Sequence, residues 1–78
     1  MTQSLRETIY VIISDLTESD INKLNDNTRL KEDLGCDSLD KVDIALSIED
    51  VLDVDFKIEN IMKFKTIGDI FNYINKNK

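Results

Sequence analysis

Leu34-Gly35-Cys36-Asp37-Ser38-Leu39-Asp40, followed by the segment Lys41 to Asp55, is the stretch around which the rest of the 78-residue chain is organised. Gly35 permits a tight turn, Asp37 can cap a helix, and Ser38 then falls at the first helical position with its hydroxyl turned to solvent. With Asp37 as N-cap, Asp40 occupies the third helical position. The two form an acidic variant of the capping box and leave the backbone donors of the first turn pointing outward. Free N–H groups and aligned peptide dipoles favour an anion at a helix start, by about 0.3–1 kcal/mol for an exposed charge. A phosphodiester on Ser38 would be well placed, although by local geometry alone most serines at helix starts only cap or decorate.

The helix that follows carries two apolar groups. With Leu39 at zero and about 100° per residue, Val51, Ile44, Ile48, Leu52 and Ala45 fall between about 120° and 240°, the width of a core face. Leu39, Val42 and Leu46 gather between about 300° and 360°, bordered by Glu49 on one side and by Asp50, Asp43, Ser47 and Asp40 on the other. An apolar strip rimmed by carboxylates has the pattern of a partner-binding surface; the competing reading packs the three under the loop after Leu34.

Charge sharpens the picture. The net charge is −6, and residues 37 to 55 hold seven acids (Asp37, Asp40, Asp43, Glu49, Asp50, Asp53, Asp55) against one base, Lys41. The other segments are balanced, so the whole imbalance lies on one helix and the turn after it. That argues against DNA or RNA and for partners with basic surfaces. The single cysteine, Cys36, has no internal disulfide partner, and a chain without histidine has no His-based triad or zinc site. Cys36 reads as a loop thiol, with a redox or thioester role as the alternative. There is no run of 18 apolar residues and no secretory-type start, which predicts a cytoplasmic protein without membrane insertion.

Seventy-eight residues predict one domain, 1–78, with a single modest core. Ser4-Leu5-Arg6-Glu7 fits a capping box, and Leu5, Ile9, Ile12, Ile13 and Leu16 recur at helical spacing, giving a first helix from about 4 to 15. From Thr17 to Asp37 the chain is polar, with Asn22, Asn25, Asp26 and Asn27 as turn-formers and Ile21, Leu24, Leu30 and Leu34 as apolar anchors. This is a long tethered loop, of a kind that is commonly functional. Asp53-Val54-Asp55 opens like a calcium loop but fails at Lys57 and Ile58; loose divalent binding to the acidic helix stays open. Ile58 to Lys63 makes a short helical turn or two, with Phe56, Ile61 and Phe64 as core candidates. Thr66-Ile67-Gly68-Asp69 is another capping box, and Ile70, Phe71 and Ile74 share one face of a last helix from about 67 to 76. The fold class is all-α: a small antiparallel bundle of three main helices and one short helix, with the long loop between the first two.

The run Leu34-Gly35-Cys36-Asp37-Ser38-Leu39-Asp40 resembles the prosthetic-group attachment motif of acyl carrier proteins. Glu32-Asp33-Leu34-Gly35 before it and Phe71-Asn72-Tyr73-Ile74-Asn75 at the end look like the family's approach to the motif and its last helix. The resemblance implies 4'-phosphopantetheine, donated by coenzyme A, on Ser38, with Asp37 and Leu39 as the flanking motif residues. It implies a monomeric carrier of acyl thioesters, not an enzyme, most naturally in fatty-acid biosynthesis. Its partners would be a phosphopantetheinyl transferase and acyl-transfer and chain-elongation enzymes with basic docking surfaces, meeting Asp40, Asp43, Glu49, Asp50, Val42 and Leu46. Lys57, Lys63 and Lys65 against Glu59 alone depart from the family's usual acidic continuation. A specialised polyketide, aminoacyl, D-alanyl or modified-lipid carrier is therefore the alternative within the class. An unmodified acidic helical adaptor is the alternative outside it.

Overall fold

The computed structural model describes residues 5–76. Four helices follow one another: α1 (Leu5–Thr17), α2 (Ser38–Leu52), the short α3 (Ile58–Ile61) and α4 (Ile67–Lys76), with one 3-10 turn at Ile21–Lys23 in the connection between α1 and α2. The chain is the all-α bundle that the periodicity predicts, with α1 packed on α2 and α2 on α3. The Ser4 end of the first capping box lies outside the described residues. The last helix has the expected bounds, whereas α1 runs two residues past the expected Asp15 and ends where Glu18 turns into the left-handed region at φ 55°.

Eight isoleucines form most of the core: Ile9 and Ile13 of α1, Ile44 and Ile48 of α2, Ile61, and Ile67, Ile70 and Ile74 of α4. Each buried side chain of this size stabilises the fold by roughly 1.5–3 kcal/mol before ordering costs. Phe56, Phe64 and Tyr73 close one end as an aromatic cluster, with Phe56 and Tyr73 stacked at 5.1 Å between centroids. Tyr10 meets Phe71 edge-on, joining α1 to α4. Phe56, Ile61 and Phe64 are buried as expected.

The long connection is held as much by its backbone as by its leucines. The Leu30 N–H donates to the Lys65 carbonyl at 2.8 Å, Ile67 N–H to Thr28 at 3.1 Å, and Gly68 N–H to Asp26 at 2.8 Å, around an antiparallel bridge between Arg29 and Thr66. These bonds satisfy peptide groups that a polar loop would otherwise leave to water. Gly68 is needed here, since a Cβ at this position would lie 3.0 Å from the Asp26 carbonyl oxygen. Asp26, read from sequence as a turn-former, also ties the loop to α1, because its carboxylate accepts hydrogen bonds from Arg6 and from the Tyr10 hydroxyl.

Three expectations are corrected, and a residue placed as expected, Cys36, has an environment the sequence did not give. Leu16 is 46 % exposed although it lies on the apolar stripe, in the last turn of α1 beyond the buried Ile13. Val51, placed on the core face of α2, is 58 % exposed; it sits at the very edge of that arc, which the neighbouring helices do not cover. Ile21 of the loop is exposed, so Leu30, fully buried, and the half-buried Leu24 and Leu34 are the anchors. Cys36 is in a loop, but its side chain is buried in the core, where desolvation pushes the thiol pKa up.

Candidate functional site

The start of α2 has the geometry read from sequence. Gly35 takes φ 70°, which turns the chain into the extended Asp37 cap. Asp37 Oδ1 accepts from the Asp40 N–H at 2.9 Å, and Asp40 Oδ2 accepts from the Asp37 N–H at 3.2 Å, so both halves of the capping box are made. The Lys41 N–H reaches the Asp37 carbonyl at 3.1 Å as the first helical hydrogen bond. The N–H groups of Ser38 and Leu39 are then the first-turn donors without a partner among the described residues. Ser38 is exposed, and no hydrogen bond among the described residues holds its Oγ. The result is a solvent-facing nucleophile beside two free donors, on a rigidly capped turn.

A covalently attached phosphodiester fits this arrangement. Its negative charge meets the free N–H groups and the positive end of the helix dipole, and nothing packed against Ser38 need move to admit it. There is no activating base: the chain has no histidine, and the neighbouring Asp37 and Asp40 carboxylates are engaged in the capping box. Among the described residues Ser38 therefore has no neighbouring side chain free to take its proton.

Beyond Ser38 the outward strip is only partly as expected. Leu39 is 74 % exposed and Leu46 55 %, so these two do not pack under the loop; Val42 between them is half-buried and leans against the core. Of the rim acids, Asp43 and Asp50 are exposed with no hydrogen bond among the described residues. Asp40 also serves in the cap, and half-buried Glu49 accepts a hydrogen bond from the Phe56 N–H at 2.7 Å. The structure thus brings Ser38, Leu39, Asp43, Leu46 and Asp50 to solvent on one helix and turns Glu49 toward the fold. No basic residue lies in the last turn of α2, so the negative end of its dipole is uncompensated by its own helix.

Sequence reading missed Lys41. It falls at about 200° on the helical wheel, within the core arc, and its position alone could have signalled a role. In the structure it is half-buried and lines a narrow apolar space with Leu30, Ile44, Ala45, Ile48, Phe56, Phe64 and Ile70, a space too tight for water. An aliphatic stem under a hydrated ammonium suits this boundary. Among the described residues no three metal-ligating side chains converge, and no helix is long and apolar enough to cross a membrane.

A four-helix domain presenting an exposed serine on a capped turn, without catalytic partners of its own, has the form of a carrier domain. Comparison with known proteins agrees: the family model described as the phosphopantetheine attachment site matches residues 7–74. The chain is 32 % identical over 71 residues to an acyl carrier protein of Chlamydia felis (strain Fe/C-56), covering 91 % of each chain. It is 35 % identical over 71 residues to an acyl carrier protein of Onion yellows phytoplasma (strain OY-M), covering 91 % of this chain and 93 % of the relative. With an acyl carrier protein of Rickettsia bellii (strain RML369-C) it shares 33 % identity over 75 residues, 96 % and 87 % of the two chains. The chain belongs to the acyl carrier protein family, and 4'-phosphopantetheine is the prosthetic group that this membership assigns to it.

Proposed function

We propose that Ser38 is the attachment point of 4'-phosphopantetheine and that the whole chain, 1–78, acts as one carrier domain for acyl groups held as thioesters on that arm, in fatty-acid biosynthesis. The observation that carries this reading is the exposed Ser38 hydroxyl at the first position of α2, beside the free N–H groups of Ser38 and Leu39. A transferase moves the arm from coenzyme A to Ser38 Oγ and supplies the base that this chain lacks. Asp37 fixes the turn, and Leu39, exposed next to Ser38, offers the transferase an apolar contact.

In this reading the protein performs no catalysis itself. It works as a cytoplasmic monomer and is passed among acyl-transfer and elongation enzymes whose basic surfaces meet Asp43 and Asp50, with Asp40 and Glu49 at the margin. The closed apolar space beside Lys41 is where an acyl chain would find burial, worth about 0.8 kcal/mol per methylene, once the helices part to admit it.

Intact-mass measurement after incubation with coenzyme A and a broad-specificity phosphopantetheinyl transferase tests the attachment. One phosphopantetheinyl addition is expected for the native chain and none for Ser38→Ala, with helical circular dichroism unchanged because Asp37 still caps. Modification persisting in Ser38→Ala would move the site elsewhere, and an unmodified acidic adaptor would show no mass change in either protein.

A further inference from the structure

Most of the cations of this chain, Lys41 of α2 among them, line two grooves beside α3. A groove of about 560 Å³ between α3 and α4 is lined by Lys57, Lys63 and Lys76 with the amides of Asn60 and Asn72. The one acid in its wall, Asp69, has its carboxylate occupied by the N–H groups of Lys65 and Thr66, at 2.8 and 3.1 Å. A second groove that borders the same segment, of about 400 Å³, is lined by Lys31, Lys41 and Lys65 with Arg29, Glu32, Met62 and Thr66. Arg29 is paired with Asp33 at 3.1 Å, but none of the six lysines has a carboxylate within ion-pair distance among the described residues. On α3 and the residue after it, Ile58 and Met62 stand four residues apart, 61 % and 38 % exposed. A protein of net charge −6 therefore presents, besides the acidic face on α2, a second face around α3 where six lysines outnumber the acids Glu32, Glu59 and Asp69 and apolar side chains are exposed.

We propose that the face around α3 is a second docking surface, for an acidic polypeptide segment, distinct from the α2 face that meets basic partners. Unpaired lysines lining two concave channels complement carboxylates spaced along an extended chain, and Ile58 and Met62 offer that chain the desolvated centre that interfaces require. Concavity separates this occupant from an anionic membrane, which is flat on this scale and which the net charge of −6 would repel. Amide-rich walls also suit a peptide backbone, since Asn side chains both donate and accept. The surface does not depend on Ser38, so it stands or falls independently of the attachment of the arm.

The test uses the unmodified, isotopically labelled chain and a synthetic twelve-residue peptide of alternating glutamate and leucine, followed by nuclear magnetic resonance. Amide shifts should gather in residues 57–66 and 72–76 and around 29–31 and 41. Lys63→Glu combined with Lys57→Glu should weaken binding by about tenfold or more, equivalent to about 1.4 kcal/mol. Lys23→Glu, outside both grooves, should change it by less than about twofold. All are exposed, so unchanged melting temperatures will show that the variants fold. The proposal is overturned if the shifts spread over every lysine, if Lys23→Glu weakens binding as much as the groove variants, or if no peptide binding is detected. It is also overturned if phosphatidylglycerol vesicles bind through these lysines while the peptide does not.

Discussion

The Glu49 carboxylate accepts a hydrogen bond from the Phe56 N–H at 2.7 Å, reaching from the last turns of α2 across seven residues to the segment that leads into α3. The same segment is also held by the Tyr73 hydroxyl, which donates to the Asp55 carbonyl at 3.0 Å. Removing the acceptor in Glu49→Ala leaves a partly buried N–H unpaired and should cost about 1–2 kcal/mol in denaturant unfolding. Glu49→Gln keeps an acceptor and should recover most of that loss, while Asp50→Ala, its exposed neighbour, should stay within about 0.5 kcal/mol of the native protein. Equal effects for all three would deny the bond its structural role.

The loop anchor at Asp26 makes stability depend on pH. Hydrogen bonds from Arg6 first and Tyr10 second hold the Asp26 carboxyl below its ordinary value, and burial only partly opposes them. The folded-state pKa is therefore lower than the unfolded one, near 3.9. This contribution is fully present above about pH 4 and is lost as the pH falls through the folded value. Melting curves should show Asp26→Asn less stable than the native protein at pH 7, with the gap shrinking below about pH 4. A gap constant from pH 7 to 3 would mean that the carboxylate charge is not what holds the loop.

Cys36 is where exposure and chemistry are most easily confused. The motif places the thiol two residues from Ser38, yet it is 2 % exposed and burial raises its pKa, so little thiolate forms at neutral pH. Reaction with a disulfide reagent such as Ellman's should be slow in the folded protein and fast in urea. Cys36→Ser should destabilise by about 1–3 kcal/mol, because a hydroxyl replaces a buried apolar thiol. Rapid labelling of the native protein would revive a redox or thioester role.

Partner recognition through α2 should divide kinetically between charge and apolar surface. Asp43→Lys turns an attraction for a basic surface into a repulsion and should lower the transferase on-rate and flatten its salt dependence. Leu46→Ala should raise the off-rate with little loss of stability, since Leu46 is more than half exposed. Ile48→Ala, two residues on and fully buried, should instead cost about 2–5 kcal/mol of folding free energy. Surface plasmon resonance and melting curves on the three variants separate these effects, and a Leu46→Ala protein with unchanged transferase kinetics would remove Leu46 from the interface.

What the sequence determined by itself was local. Helix starts at Asp37 and Thr66 are written in residues three apart, and the structure closes both capping boxes. The isoleucine spacing named Ile9, Ile13, Ile44, Ile48, Ile70 and Ile74 as core, because a helix fixes which side chains share a face whatever it packs against. The exposure of Ser38 followed from its place at the first helical position after the Asp37 cap. Only the tertiary structure decided how far each face is covered: Leu16 and Val51 have apolar positions and still meet water, since covering depends on where a neighbouring helix ends. Cys36 went inward, Asp26 was claimed by Arg6 and Tyr10, and Glu49 was turned from the rim toward Phe56, all through partners between 6 and 20 residues away. The gathering of lysines around α3 belongs to the same class. Charges scattered from Lys31 to Lys76 come to line two grooves only in the folded chain, the one with Lys31, Lys41 and Lys65 where the loop is stitched to the start of α4, and no periodicity along the chain encodes that proximity.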